Sequence, residues 1–135
     1  MRRWNGWGDE SIRLELPPEG LALLRQQIGD GTRRPDYPLD KFLKRIPAPR
    51  LPRHPLVTTD PHLRLACAHG QSLPDWIRLR GGTLALFPDG VARPKTEQDI
   101  TALLVYAADH NAIVIPYGGG TSVAGHLEII ETERP

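Results

Sequence analysis

Apolar positions along the chain repeat with more than one period. Ile12, Leu14 and Leu16 alternate with Arg13 and Glu15. That is the rhythm of a short, half-buried strand at a sheet edge. Pro17 and Pro18 stop it, and Pro18 suits the first turn of a helix. Leu21, Leu24 and Ile28 then share one helical face, which Gly29 or Gly31 closes. Leu39 to Ile46 reads as a second short helix. From Pro47 to Pro61 the periodicity disappears. Pro47, Pro49, Pro52, Pro55 and Pro61 prevent helix and remove ladder donors, so an extended connector wrapped on another surface is expected. Asp60-Pro61 offers an N-cap and a first helical position, followed by the stripe Leu63, Ala66 and Cys67 and a stop at Gly70. Ser72 or Leu73-Pro74-Asp75 opens another helical turn through Trp76, Ile77 and Leu79, broken by Gly81-Gly82.

The last third is the most regular. Gly90 to Pro94 is a short strand candidate. Thr96 can cap a helix, with Glu97 and Asp99 at the positive end of its dipole. Asp99 stands where a capping box would carry Glu or Gln, so the box is approximate. Ile100, Leu103, Leu104 and Ala107 form one apolar face, and Asp109, His110 and Asn111 end it. Ile113-Val114-Ile115 is a β-branched run that delivers Pro116-Tyr117-Gly118-Gly119-Gly120-Thr121-Ser122. Strand, helix and strand make a β-α-β unit of the usual ~30 residues. Its loop lies at a strand's C-terminal end, where open α/β sheets place ligands. Consecutive glycines allow positive φ and close approach, their N–H groups can converge on an anion, and Thr121 and Ser122 add hydroxyl donors. The loop is therefore either a diphosphate cradle or a tight turn between two strands.

Pro88-Asp89-Gly90-Val91, the helix, and Ile115 to Val123 closely resemble the start of the FAD domain in FAD-linked oxidases of the vanillyl-alcohol oxidase and p-cresol methylhydroxylase type. Trp4-Asn5-Gly6-Trp7-Gly8 and Ala68-His69-Gly70 resemble, more narrowly, the bacterial relatives of alkyldihydroxyacetonephosphate synthase. The resemblance spans nearly the whole chain, with a gap through the proline-rich part. It implies an α+β chain in which a helical and extended arm, residues 1–83, precedes the first β-α-β portion of an FAD-binding domain of this type, residues 84–135, incomplete at its end. It also implies FAD on the loop Pro116 to Ser122. Some flavoproteins of this superfamily link the flavin covalently to a histidine in this loop. Thr121 stands at the equivalent place and His126 does not match, so the resemblance implies noncovalent FAD.

Composition narrows the remaining classes. The chain has 135 residues, 39% hydrophobic and 24% charged, within the range of one soluble domain. A net charge of +1 makes no electrostatic case for nucleic acid or an anionic membrane. Arg50, Arg53 and His54 make the connector basic, but without interleaved aromatics it reads as a solvated linker. No apolar stretch reaches membrane-span length, and no hydrophobic region follows Arg2 and Arg3, so cytoplasmic location is the expectation. The single cysteine, Cys67, excludes an internal disulfide and reads as a small core residue rather than a nucleophile. The five histidines show no metal-ligand spacing, and His69 reads as a hydrogen-bonded structural residue. Trp4 and Trp7 read as an anchor pinning the N-terminus to a larger body.

The resulting expectation is the FAD-binding portion of a flavin-dependent oxidoreductase or alkyl transferase, inactive alone, with no catalytic residue assigned. In the synthase relatives a fatty alcohol replaces a fatty acid; in the oxidase relatives a 2-hydroxy acid gives up a hydride. Hydrogen bonds to a charged group contribute roughly 1.5–3 kcal/mol each. Micromolar affinity needs about 8 kcal/mol net of association costs. The loop by itself is thus expected to hold FAD weakly, and the missing remainder of a flavoenzyme or a second copy is the expected partner. Two other readings stay open: a non-catalytic interaction module, and a nucleotide- or phosphate-binding domain without redox chemistry.

Overall fold

A computed structural model of the chain describes residues 3–9, 11–32 and 34–135. Five helices and one two-stranded sheet occur among them: α1 (Pro18–Ile28), α2 (Leu39–Arg45), β1 (Val57–Thr58), α3 (Pro61–Ala66), α4 (Leu73–Gly81), β2 (Val91–Ala92) and α5 (Glu97–Asp109). The chain is α+β.

The helices begin and end where local chemistry dictates. Ser72 and Asp75 form a reciprocal capping box on α4, with Asp75 N donating to Ser72 Oγ and the Asp75 carboxylate accepting from Ser72 N and Oγ. Gly82 then ends α4 in the left-handed region at φ 73°. On α5 the box closes with both halves present, although Asp is shorter than the usual Glu: Asp99 Oδ2 accepts from Thr96 N at 3.2 Å and from Lys95 N at 2.8 Å. The hydrogen bond from Lys95 N is the main reason the Asp99 carboxyl lies below its ordinary range. Asp60 caps α3 by accepting from His62 N. Ser72 and Asp75 are buried, so their loss is not repaired by water. Ser72→Ala should destabilise the chain by about 1–2 kcal/mol in urea denaturation, while Ser72→Thr should stay within about 0.5 kcal/mol.

The core is small. Phe42, Leu65, Ala68, Leu79, Leu84 and Phe87 form its buried cluster, with α2 packed against α3. Tyr37 and Trp4 meet Phe42 edge-on, with ring centroids 4.8 and 6.0 Å away. Arg45 lies over the Tyr37 and Phe42 rings and donates to the Gly82 carbonyl at 2.6 Å. The two N-terminal tryptophans thus diverge: Trp4 packs on the core, and Trp7 stacks parallel to Trp76 on the surface. Cys67 is the C-cap of α3, half-buried, and burial pushes its thiol up, against the pull of Arg93.

Two strand expectations are corrected, and the third, Gly90 to Pro94, contains β2. Residues 12–16 form no strand; among the described residues no segment pairs with them in a ladder, and Leu14 is 92% exposed. Residues 113–115 also lack a ladder, so the β-α-β unit does not form as a paired unit. Strand β2 instead pairs antiparallel with β1, with Val57 opposite Ala92 and Thr58 opposite Val91. That partner comes from the connector, where Val57-Thr58-Thr59 is a β-branched window between Pro55 and Pro61 that keeps its N–H donors. The connector is otherwise extended, and Tyr106 of α5 holds it by donating to the Pro52 carbonyl at 2.6 Å. Helix α1 forms as its pattern predicts but buries none of its residues.

Candidate functional site

The glycine loop follows α5 and the run 113–115, whose Ile113 N donates to the Pro135 carbonyl at 2.8 Å. Pro116, Gly118, Gly119 and Thr121 are exposed, Tyr117 and Ser122 half-buried, and Gly120 buried. Gly120 has φ +66°, and a Cβ there would run into the Tyr117 hydroxyl and ring. Only glycine occupies that backbone state without strain. The position of Gly118 is the opposite case, with nothing within 4 Å of where a Cβ would stand. The loop therefore has a closed inner side at Gly120 and an open outer side at Gly118. The N–H groups of Gly118, Gly120 and Thr121 find no acceptor among the described residues. Free amides, an open face and the Thr121 and Ser122 hydroxyls are the donor set an anion needs. These residues fit a phosphate or diphosphate.

The inner side rests on the segment that links α3 to α4. Tyr117 donates its hydroxyl hydrogen to the Ala66 carbonyl at 2.9 Å. Gln71 N donates to the Ser122 carbonyl at 2.7 Å. Gly70 passes so close that a Cβ would stand 2.7 Å from the Ser122 oxygen. His69 is buried, 7% exposed, and its Nδ1 lies 2.7 Å from the Gly70 carbonyl oxygen. Its Nε2 is buried with no partner among the described residues. His126 approaches from the other end, with Nδ1 3.3 Å from Ser122 Oγ. All seven loop residues expected from the sequence thus lie together, but the supports at Ala66, Gly70 and Gln71 were not among them. Their signal was the Ala68-His69-Gly70 match, which pointed to the right segment without assigning it a role.

A second node fastens the start of this region. Asp89 is 8% exposed and accepts from Arg50 N, Nε and Nη2 at 2.8, 3.0 and 2.6 Å. Arg64, 3% exposed, donates to the Pro88 carbonyl at 2.6 Å and to the Pro47 carbonyl at 2.8 Å. Burial pushes the Asp89 carboxyl up, but the Arg50 hydrogen bonds and the Arg50 and Arg64 charges outweigh it and hold it below its ordinary range. Burial lowers the Arg64 guanidinium, with the Asp89 charge opposing. This node joins the connector, α3 and residues 88–89 in one charged cluster.

A groove of about 670 Å³ lies elsewhere, between Trp7, Trp76, Leu73 and Ile77, and shares only Gln71 with the support of the loop. No cluster of three or more His, Cys, Asp or Glu that could hold a metal occurs among the described residues. No helix among them is long and apolar enough to cross a membrane.

Residues 88–133 match the FAD binding domain family. Over 77 residues the chain is 40% identical to the alkyldihydroxyacetonephosphate synthase of Caenorhabditis elegans, an overlap of 57% of this chain and 13% of that protein. Over 98 residues it is 32% identical to the Dictyostelium discoideum enzyme, covering 73% of this chain and 15% of that protein. The Trypanosoma brucei brucei enzyme is 30% identical over 106 residues, or 70% of this chain and 17% of that protein. Two solved structures of alkyldihydroxyacetonephosphate synthase superpose on 98% of the chain with TM-scores of 0.75 and 0.74, at 24% and 22% identity. The chain spans only 29% and 31% of those two. It therefore has the fold of part of a much longer molecule.

Proposed function

From a chain whose residues 88–133 carry the FAD binding domain sequence, within a wider similarity to alkyldihydroxyacetonephosphate synthases, we propose that residues 116–122 hold the diphosphate of noncovalently bound FAD. The observation that carries this reading is the loop itself: Gly120 at positive φ, backed by Tyr117, with the open amides of Gly118 and Thr121 on the outer side. Bound flavin would supply redox or alkyl-transfer chemistry; this chain would bind and orient it. Amide dipoles and hydroxyls recognise the phosphate oxygens, and the Ala66–Gln71 segment keeps those amides from collapsing onto their own carbonyls. Thr121 carries no nucleophilic ring nitrogen, which favours a noncovalent attachment. The whole enzyme, of the synthase or oxidase type, would draw its substrate pocket from residues outside this chain.

Among the described residues nothing stands over the open side at Gly118. A diphosphate held by three or four amides corresponds to a dissociation constant of about 10–1000 µM once association costs are met. Titration of flavin fluorescence with residues 1–135 tests this. FAD should bind in that range, ADP should compete, and riboflavin, which has no phosphate, should not. Equal binding of riboflavin would place recognition on the ring and remove the loop assignment. Binding of ADP as tight as FAD, with no change in flavin spectrum, would favour the redox-free nucleotide module instead.

A further inference from the structure

We infer that His69 is a positioning residue for the glycine loop, acting through the Gly70 peptide on the Ser122 carbonyl; this rests on the reading of residues 116–122 as the FAD diphosphate loop. His69 lies outside the loop, in the short segment between the Cys67 C-cap of α3 and the Ser72 N-cap of α4. A carbonyl only accepts, so the short contact from Nδ1 to the Gly70 oxygen assigns the hydrogen to Nδ1. That bond fixes the plane of the Gly70–Gln71 peptide. The N–H of the same peptide, on Gln71, donates to the Ser122 carbonyl at 2.7 Å. One peptide group is thus held at its oxygen by the imidazole and holds the loop by its nitrogen. Rotation of that peptide would release both contacts together.

Two further observations separate this role from simple space filling. The other nitrogen, Nε2, is buried without a partner among the described residues, an arrangement that an apolar side chain of similar size would avoid. The imidazole is therefore a costly filler, and what it supplies that Leu cannot is the Nδ1–H. Gly70 is in turn constrained from both sides, since a Cβ would stand 2.7 Å from Ser122 O and 3.2 Å from the Asp75 carboxylate. Imidazole, peptide and Ser122 carbonyl are in direct succession, with no slack for a compensating shift.

Substitutions at His69 distinguish its two nitrogens. His69→Asn retains a donor at the Nδ1 position and lacks anything at Nε2. His69→Gln places its amide near Nε2 instead. His69→Leu removes both. Two readouts apply to the full chain: hydrogen exchange of the Gln71 amide without ligand, and the FAD dissociation constant. His69→Leu should speed Gln71 exchange and weaken FAD each by roughly 10-fold or more, whereas His69→Asn should stay within about 3-fold of the parent in both. Unchanged Gln71 exchange in His69→Leu would overturn the inference. So would rescue by Gln together with failure of Asn, which would move the role to Nε2. If the parent chain fails to bind FAD, the cofactor reading fails, and the exchange measurement still decides whether His69 positions the loop.

Discussion

Gly120→Ala should weaken FAD binding by roughly 30- to 150-fold. The backbone at φ +66° costs a side-chain-bearing residue about 1–2 kcal/mol. The new Cβ also collides with Tyr117, whose ring must move and give up its hydrogen bond to the Ala66 carbonyl, a further loss of about 1 kcal/mol. Together about 2–3 kcal/mol falls on the conformation that presents the amides, which is the stated fold-change in affinity. Tyr117→Ala provides the internal control. In that background the collision is gone, so Gly120→Ala should cost only its backbone part, and the double-mutant cycle should show a coupling of about 1 kcal/mol. Fluorescence titration measures the affinities. Full additivity would mean that Tyr117 does not brace Gly120, and an unchanged dissociation constant in Gly120→Ala would remove the loop from the site.

The largest loss of stability is expected from Asp89→Ala. Breaking a buried ion pair from one side costs about 3–5 kcal/mol, because the remaining charge stays in place without its partner. Arg50 is half-exposed and recovers water, so the expected loss is reduced to about 2–3 kcal/mol, or roughly 10 °C in melting temperature. Arg64 recovers nothing, being buried with one guanidinium nitrogen already unpartnered. The same node sets an acid limit. The folded Asp89 carboxyl lies below its unfolded value of about 3.9, so its contribution is complete above that pH. It disappears as pH falls through the folded value. Urea midpoints measured down the acid limb should therefore decline in the parent more steeply than in Asp89→Ala. Parallel curves would mean that Asp89 is not the group responsible.

Much of the chain was legible because it is decided locally. Thr96 with Asp99 and Ser72 with Asp75 place helix starts within three residues of themselves, and Gly29 and Gly82 place helix ends by accepting positive φ. Proline at Pro18, Pro61 and Pro74 opens helices for the same reason, because its fixed φ suits a first turn. Positive φ at Gly120 likewise follows from a run of glycines that no other residue could imitate. Even the departure at Asp99 was a matter of reach over one turn.

What the sequence could not decide is what depends on partners far along the chain. Ile12 to Leu16 and Ile113 to Ile115 carry strand patterns, yet a strand exists only where a second backbone offers a ladder of hydrogen bonds; among the described residues neither run has one, and Ile113 N makes a single bond to the Pro135 carbonyl. Val57-Thr58 lay hidden among prolines and became β1 because β2 arrived beside it. Asp89 with Arg50, Pro88 with Arg64, and Ser122 with Gly70 and Gln71 join residues 24 to 52 apart, a separation no local period encodes. The local order of residues alone determined that helices would cap where they do and that a glycine turn would open after α5. Only the tertiary structure decided which backbone would brace that turn, because bracing requires two distant segments within hydrogen-bonding distance, and that distance is set by packing of the Phe42–Leu79 core.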